Sequence, residues 1–217
     1  MNSVSKKIAL VLAILMIVVC FAGCKKEKKE NTLVFQGVTT TGEVEYNIGN
    51  LTCSTSSINE IVINWGLGNV KFAPSSSDKI NGHEDEKGYE ENQRMHWRLI
   101  KNTLEIEYCE PDSSVNLDNA VTKDLLLYVP SDLSVVLKIG KGDVIFDPMN
   151  MSKVSVESKS GNVDVKLDPE KGAAIKQEIK EGGFDAGEYT EKDGKYVFGK
   201  GECAAEFKLE KGNLTVK

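Results

Sequence analysis

The chain has 217 residues, with 27 Lys and Arg against 33 Asp and Glu, and a formal net charge of −6. A body of about 190 residues suits one domain with a sizeable core. The acidic balance argues against nucleic acid as a partner, because phosphate backbones are bound by clustered Lys and Arg.

The sequence pattern of residues 1–23 predicts a signal peptide. Lys6 and Lys7 precede an apolar run from Ile8 to Gly23, and its 16 residues are fewer than the roughly 20 that a membrane-spanning helix needs. The run ends in Phe-Ala-Gly-Cys, which resembles a bacterial lipoprotein signal, although an aliphatic residue is usual where Phe21 stands. In such a signal Cys24 becomes the lipidated first residue. We therefore expect an extracytoplasmic protein that the lipid on Cys24 anchors to the bacterial cell membrane.

Residues 24–31 are expected to form the lipidated cysteine and a charged tether. The sequence Lys-Lys-Glu-Lys-Lys-Glu at residues 25–30 contains no apolar side chain, which is typical of a solvated linker. Loss of residues 1–23 removes two lysines and no acids, so 25 basic residues face 33 acidic ones and the net charge becomes −8.

From residue 32 to residue 217 the pattern predicts one all-β domain. Short alternating segments are bounded by Gly, Pro, Asn, Asp or Ser, as in EIVINWG, TLEIEYC, KDLLLYV, SVVLKIG, KVSVESK, NVDVKL, AAEFKLE and NLTVK. Trp65 shares the alternation of Ile61 and Ile63, so it is expected in the core. The best helix candidate is DPEKGAAIKQEIKEGG, which Gly172 interrupts. The last strand, NLTVK, is expected to leave an open sheet edge.

Three cysteines, Cys53, Cys109 and Cys203, remain in the domain, so at most one disulfide can form within it. Their spacing fits no zinc pattern. Strand parity points Cys53 and Cys203 inward, where buried apolar thiols are expected.

A polar insert at about residues 75–97 carries both histidines, His83 and His96, among several carboxylates. Such a set could bind a metal ion, but a long charged loop is more often simply solvated, so we expect no metal and no cofactor. Tyr89 and Trp97 add aromatic rings to the same segment. Because loops on a rigid scaffold often carry function, we predict that Tyr89, Trp97, His83 and His96 form the binding surface.

No convincing catalytic constellation is present, so we predict that the chain is not an enzyme. Asp143, Asp164 and Asp185 are each 21 residues apart, but Asp143 lies on a corner and Asp164 lies further along its strand. The sequence has no Gly-x-Ser-x-Gly motif and no phosphate-binding loop. The alternative is a carbohydrate-active enzyme, which would need two carboxylates facing each other across the sugar.

Gly-Asn or Gly-Asp followed by an aliphatic residue recurs along the chain. The predicted structural corners are Gly68-Asn69, Gly142-Asp143, Gly161-Asn162 and Gly212-Asn213. The second and third are 19 residues apart. Glycine supplies backbone angles that other residues avoid, and Asn or Asp bonds locally to the backbone. Two architectures fit such a unit. One is a β-solenoid of stacked coils and the other is an antiparallel β-sandwich or meander, and the constant period favours the solenoid.

The repeated turns WGLGNVKF, LKIGKGDVIF and ESKSGNVDVKL, with LLLYVP ahead of two of them, resemble the bacterial family of candidate adhesins known as DUF4097. The resemblance covers residues 61–217, with departures at Gly182–Gly201 and in the insert. It implies a β-solenoid-like domain on the cell surface. The expected role is non-catalytic binding of a glycan, or of an envelope or host protein, or a structural role in the envelope.

Overall fold

The computed structural model describes residues 32–34, 45–85, 87–111 and 114–217, which belong to one unit, Thr32–Lys217. The predicted signal peptide, Cys24 and the charged tether lie outside the described residues. The described residues form twenty strands and one 3-10 helix, Glu91–Gln93. The strands are β1 (Thr32–Val34), β2 (Asn47–Ile48), β3 (Leu51–Ser54), β4 (Glu60–Leu67), β5 (Val70–Pro74), β6 (Lys79–Glu84), β7 (His96–Ile100), β8 (Thr103–Glu107), β9 (Ser114–Asn116), β10 (Leu125–Val129), β11 (Ser134–Lys141), β12 (Val144–Met149), β13 (Lys153–Ser160), β14 (Val163–Leu167), β15 (Ala173–Glu181), β16 (Phe184–Ala186), β17 (Thr190–Lys192), β18 (Lys195–Phe198), β19 (Cys203–Lys211) and β20 (Leu214–Val216).

Two large sheets contain most of the strands. The eight-stranded sheet has the order β16-β20-β14-β12-β5-β10-β6-β3, and the ten-stranded sheet has the order β17-β18-β15-β19-β13-β11-β4-β8-β7-β2. β1 and β9 form a separate antiparallel pair. At each Gly corner the chain passes from the ten-stranded sheet to the eight-stranded sheet, so each coil contributes one strand to each.

The coils stack in parallel. β11 lies between β4 and β13, and Leu137 is opposite Ile63 on one side and Val156 on the other. β12 lies in the same way between β5 and β14. A solenoid requires parallel pairing between successive coils, whereas a meander would pair them antiparallel. The predicted β-solenoid is therefore confirmed, and the antiparallel sandwich or meander is wrong.

The four predicted Gly corners stack in one column. Gly142 lies on the carbonyl group of Gly68, and Gly161 lies on that of Gly142. Gly212 follows on Gly161, and Gly182 ends the column on Gly212. A Cβ atom on any of the later four would overlap the carbonyl oxygen of the coil before it. Their φ angles lie between +140° and +149°, a region that L side chains rarely adopt.

A ladder of Asn and Asp side chains runs beside the glycine column. The Oδ1 atom of Asn69 accepts a hydrogen bond from the N–H group of Asp143 at 2.9 Å, and Oδ1 of Asp143 accepts one from Asn162 at 2.7 Å. Asn162 and Asn213 continue the ladder to the N–H group of Gly183. Each oxygen satisfies a backbone donor at the corner of the next coil, which explains why Asn or Asp recurs there.

The last coil along the chain is not the outermost coil in space. β19 lies between β13 and β15, and β20 lies between β14 and β16. The chain leaves β16, forms the antiparallel hairpin β17–β18 along the far side of β15, and then returns between β13 and β15. The Gly182–Gly201 stretch that interrupts the repeat makes this reversal. The predicted open edge at NLTVK is wrong, because β20 is paired on both sides.

Four aromatic rings close this end of the solenoid. The ring of Tyr196 lies 4.7 Å from that of Phe184 and 5.0 Å from that of Tyr189, between centroids. Phe198 is buried and its ring lies 5.8 Å from that of Tyr189. The cluster separates the apolar interior from water, as the terminal cap of a repeat array must.

The segment at residues 75–97, predicted to be a solvated charged loop, adds a strand to each sheet. β6 joins the eight-stranded sheet antiparallel to β10 and β3. β7 joins the ten-stranded sheet antiparallel to β8. The 3-10 helix lies between them. The insert therefore covers the first coils in both sheets. It forms strands because its apolar positions alternate as those of a strand do.

The interior between the sheets is filled by alternate residues. Trp65 is fully buried, as predicted, and Phe72 stacks on Phe146 with ring centroids 4.7 Å apart. The helix candidate contains β15 instead, because β19 pairs with it in parallel on one side and β18 pairs with it antiparallel on the other. Cys203 is buried and Cys53 packs against the core, and both are free thiols. Burial raises the pKa of both thiols to about 11.

We expect Gly161→Ala to lower the free energy of unfolding by at least about 2 kcal/mol, because the new Cβ atom meets the carbonyl group of Gly142 at a φ angle that alanine avoids. Urea denaturation followed by tryptophan fluorescence measures the change.

Gly187→Ala is the matched control. Nothing lies within 4 Å of a Cβ atom at Gly187, so this variant is expected within about 0.5 kcal/mol of wild type. Equal effects of the two substitutions would mean that the glycine column does not limit the stacking of coils.

Candidate binding groove beside the insert

The structure does not bring the four predicted binding residues together. His83 is exposed on the outer face of the eight-stranded sheet, and Tyr89 is partly buried before the 3-10 helix. His96 is buried, and its Nδ1 atom lies 2.9 Å from the carbonyl oxygen of Arg94. Trp97 is opposite Ile106 and packs against the core. His96 therefore offers no exposed ring to a ligand, and Trp97 is only partly exposed.

A buried carboxylate organises the insert. Glu84, at the end of β6, accepts hydrogen bonds on Oε2 from the ammonium group of Lys123 at 2.8 Å and from the N–H group of Met95 at 2.8 Å. Its Oε1 atom accepts one from Nε of Arg94 at 3.2 Å. We call Glu84, Arg94 and Lys123 the Glu84 cluster. Charge-assisted bonds to both oxygens compensate for the removal of the carboxylate from water.

Lys123 is fully buried among three aromatic rings. Its Nζ atom lies 4.6 Å from the ring centre of Tyr108, 5.1 Å from that of Trp65 and 5.6 Å from that of Tyr89. It also donates to the carbonyl oxygen of Gln93 at 2.7 Å. Burial lowers the pKa of Lys123, and the contact with Glu84 opposes that change. The ring faces and carbonyl oxygen favour the cation in a place that water does not reach.

The corner ladder continues into the insert. Asp124 accepts a hydrogen bond from the N–H group of Asn69 at 2.8 Å, and Asp85 accepts one from Asp124 at 3.1 Å. The Tyr89 hydroxyl donates to Asp85 at 2.9 Å, and Lys87 forms an ion pair with the same carboxylate. Burial acts to raise the pKa of Asp85, but these bonds together hold it below its usual value. The ladder thus fixes the insert to the first coil.

Two cavities adjoin at Glu84 and Asp85. The first has a volume of about 240 Å³ and is lined by Arg94, Lys87 and Tyr89, and we call it the Arg94 cavity. The second has a volume of about 420 Å³ and lies on the outer face of the eight-stranded sheet. We call the second the outer groove. Its size is within the range of small-molecule sites.

The outer groove follows a row of side chains across four strands. His83 is opposite Leu126, Leu126 is opposite Lys71, and Lys71 is opposite Ile145. Tyr128, two residues beyond Leu126 on the same face, is 38% exposed, and its ring meets that of His83 edge to face at 6.4 Å. Apolar, aromatic and cationic groups therefore share one rigid surface.

The opposite flank carries balanced charge. A shallow cavity of about 280 Å³ lies on the outer face of the ten-stranded sheet, where Lys138, Glu157, Lys208 and Glu178 form one row across the strands. Lys208 pairs with Glu157 at 3.9 Å and with Glu206 at 3.4 Å. Such exposed pairs largely neutralise one another, so this face resembles an ordinary solvated surface.

The three spaced aspartates do not lie in one row. Asp143 is a rung of the corner ladder, whereas Asp164 and Asp185 flank Thr215 on the eight-stranded sheet. Two strand spacings separate the latter two by about 9.6 Å on one flat face. Among the described residues, no three His, Cys, Asp or Glu side chains are grouped so as to hold a metal ion. No helix in the described ranges is long and apolar enough to cross a membrane.

Sequence analysis found His83 and Tyr89 but missed the other residues that build the two cavities. Lys123-Asp124-Leu125 precedes β10 as Gly-Asn-Val precedes β5, so it is a corner in which lysine takes the place of glycine. A search for Asp or Asn followed by an aliphatic strand, with any residue allowed in the glycine position, would have found this corner. No local pattern marks Tyr128 or Arg94, because their importance comes from neighbours on other strands.

The stacked parallel coils define a β-solenoid repeat protein. The family model described as Toastrack DUF4097 matches residues 58–215, which is most of the chain, and the chain therefore belongs to that family. The resemblance read from the repeated corners is confirmed. No curated protein matches the chain.

Three solved structures are similar to the chain. A protein described as a candidate cell adhesion protein from Clostridium sporogenes is 15% identical, with a TM-score of 0.48, and the match covers 80% of this chain and 99% of that one. A candidate adhesin from Bacteroides fragilis is 10% identical with a TM-score of 0.27, covering 79% and 97%. One from Parabacteroides merdae is 10% identical with a TM-score of 0.23, covering 78% and 96%. At these identities and TM-scores, the likenesses carry no functional weight.

We expect Lys123→Met to lower the free energy of unfolding by about 3 kcal/mol, because it removes one member of a buried ion pair. The double variant Lys123→Met with Glu84→Gln should cost less than the sum of the two single changes, since neither buried charge is then left without the other. Urea denaturation of all four proteins gives the coupling energy.

Lys166→Met is the matched control, because Lys166 pairs with Asp147 at 3.1 Å on the surface and its loss should cost at most about 1 kcal/mol. The lowered pKa of Lys123 also determines the direction in which the stability of the wild type changes with pH. At pH values between the folded pKa of Lys123 and its unfolded pKa of about 10.4, the unfolded chain binds more protons than the folded chain. The free energy of unfolding of wild type therefore increases relative to that of Lys123→Met as pH rises. Additive single effects would contradict the coupling of Lys123 with Glu84.

Proposed function

We propose that the chain is a lipid-anchored, extracytoplasmic recognition module of adhesin type that binds a glycan in the outer groove and catalyses no reaction. The observation that carries this proposal is the exposed ring of Tyr128 beside His83, on the same face as the 420 Å³ cavity. An exposed aromatic face next to convergent polar groups is a typical arrangement for recognition.

The chemistry of the outer groove favours a glycan. Leu126 and Ile145 give it an apolar floor, and Lys71, His83 and Asp124 supply donors and acceptors around that floor. A sugar ring has apolar C–H faces and a rim of hydroxyl groups, so it matches both features. The surface lies across strands that already have partners on both sides, so it offers no free backbone edge to an added peptide strand.

The repeat scaffold supports a binding role because it holds the groove rigid. The corner ladder joins β5 to β10 and to the insert through Asn69, Asp124 and Asp85. A preformed surface loses little conformational freedom when a ligand binds. The opposite flank lacks this character, since its Lys and Glu side chains pair with one another.

The cell-envelope part of the proposal rests on the sequence. The basic start, the short apolar run and the small residues before Cys24 support export and lipidation. Residues 25–30 would then hold the solenoid away from the bilayer, and the acidic mature chain would be weakly repelled by anionic headgroups.

We expect Tyr128→Ala to weaken glycan binding at least tenfold, because the variant loses the exposed ring that stacks on the sugar. The full chain in detergent micelles is tested against an array of bacterial and host glycans, and the strongest ligand is titrated by calorimetry. Leu99→Ala is the matched control, since Leu99 is also 38% exposed but lies on the ten-stranded sheet.

Binding that Leu99→Ala reduces as much as Tyr128→Ala does would refute the outer groove as the site. Capture of proteins but of no glycan would refute the ligand class. Release of reducing ends that Asp164→Asn abolishes would refute the non-catalytic role.

We expect Cys24→Ser to abolish incorporation of radiolabelled palmitate and to release the chain from the membrane fraction, because a serine hydroxyl cannot form the thioether of a lipoprotein. Labelling of cells that express each form, followed by fractionation, makes the measurement. Cys109→Ser should leave both properties intact, and retention of the label in Cys24→Ser would show that Cys24 is not the lipidated residue.

A further inference from the structure

The guanidinium group of Arg94 is held from one side only. Its Nε atom donates to Oε1 of Glu84 at 3.2 Å, and that buried carboxylate is itself fixed by Lys123 and by the N–H group of Met95. Arg94 is therefore positioned before any ligand arrives, which reduces the entropy that binding would cost.

The other end of the same guanidinium faces the Arg94 cavity. Within the part of the chain that the structure describes, neither Nη atom of Arg94 has a hydrogen-bond partner, and the side chain is 42% exposed. The group lies close against Gly49, which has a φ angle of +84°, and a Cβ atom at that position would overlap Nη2. The glycine therefore makes room for the fork of donors.

The donors of Arg94 favour an anion in the Arg94 cavity, although the charges of the lining balance, with Arg94 and Lys87 against Glu84 and Asp85. Lys87 is paired with Asp85 and Lys123 with Glu84, so Arg94 is the cation of this region whose Nη donors have no partner among the described residues. Two parallel N–H groups match the two oxygens of a carboxylate.

We propose that the Arg94 cavity binds a carboxylate of the glycan in the outer groove, so that the ligand contains uronic acid. This inference rests on the proposed function. The two cavities share Glu84 and Asp85 in their linings, so one oligosaccharide can occupy both. The apolar row from Leu126 to Ile145 then contacts the sugar rings, and Arg94 selects those that carry an acid.

The test compares an oligogalacturonate with its methyl ester, which has the same length and stereochemistry but no charge. Both are titrated by calorimetry against the full chain in detergent micelles. We expect wild type to bind the acid at least tenfold more tightly than the ester. Arg94→Lys keeps the charge and the ion pair with Glu84 but loses the fork, and it should reduce the preference to less than threefold.

Two further variants keep the result interpretable. Gly49→Ala displaces the guanidinium without removing it and should reduce the preference in the same way. Lys138→Ala removes a positive charge from the opposite flank and should leave the preference unchanged. Thermal unfolding of each variant identifies any that fails to fold, and Gly49→Ala replaces Arg94→Lys if that variant does.

The outcomes separate this inference from the proposed function. Equal binding of acid and ester that still depends on Tyr128 would overturn the carboxylate site and leave the groove standing. The same follows if neither probe binds while other glycans on the array require Tyr128. Binding of a peptide with a free C-terminal carboxylate, with no binding of either sugar or of any glycan on the array, would overturn both.

Discussion

The structure depends on the close approach of backbone to backbone at the stacked corners. Gly142, Gly161 and Gly212 each lie on the carbonyl group of the coil before, where no Cβ atom fits. This contact sets the register of every coil, since a shift by one residue would turn each inward side chain outward. The rows of the core, such as Ile63 beside Leu137 beside Val156, follow from it.

The column ends at Lys123, and this break explains the arrangement of the insert. Gly68 lies on the carbonyl group of Lys123 as the later glycines lie on one another, but lysine brings a long side chain into the end of the core. Its ammonium group needs Glu84, the carbonyl oxygen of Gln93 and three aromatic rings to compensate for lost water. The same Glu84 positions Arg94, so one departure from the repeat builds the neighbouring cavity.

The sequence predicted the elements that depend on local chemistry. Gly-Asn and Gly-Asp corners, period-two alternation and the burial of Trp65 follow from backbone angles and strand parity, and all are found. The order of the coils could not be read, because insertion of β19 between β13 and β15 depends on pairings between segments far apart in sequence. The exposure of each candidate site residue could not be predicted for a similar reason. Trp97 looked exposed in a polar segment, yet its partner Ile106 turns it inward.

A repeat protein can place unique side chains at its irregular ends. The two ends of this solenoid differ in how far capping accounts for those side chains. The aromatic cluster of Phe184, Tyr189, Tyr196 and Phe198 closes the core, and capping accounts for it. At the other end, capping accounts for β6 and β7 but gives no role to the free side of Arg94 or to the exposed face of Tyr128. Departures from local rules that stability does not require are expected at functional sites. The insert end of the solenoid is therefore where recognition should be sought.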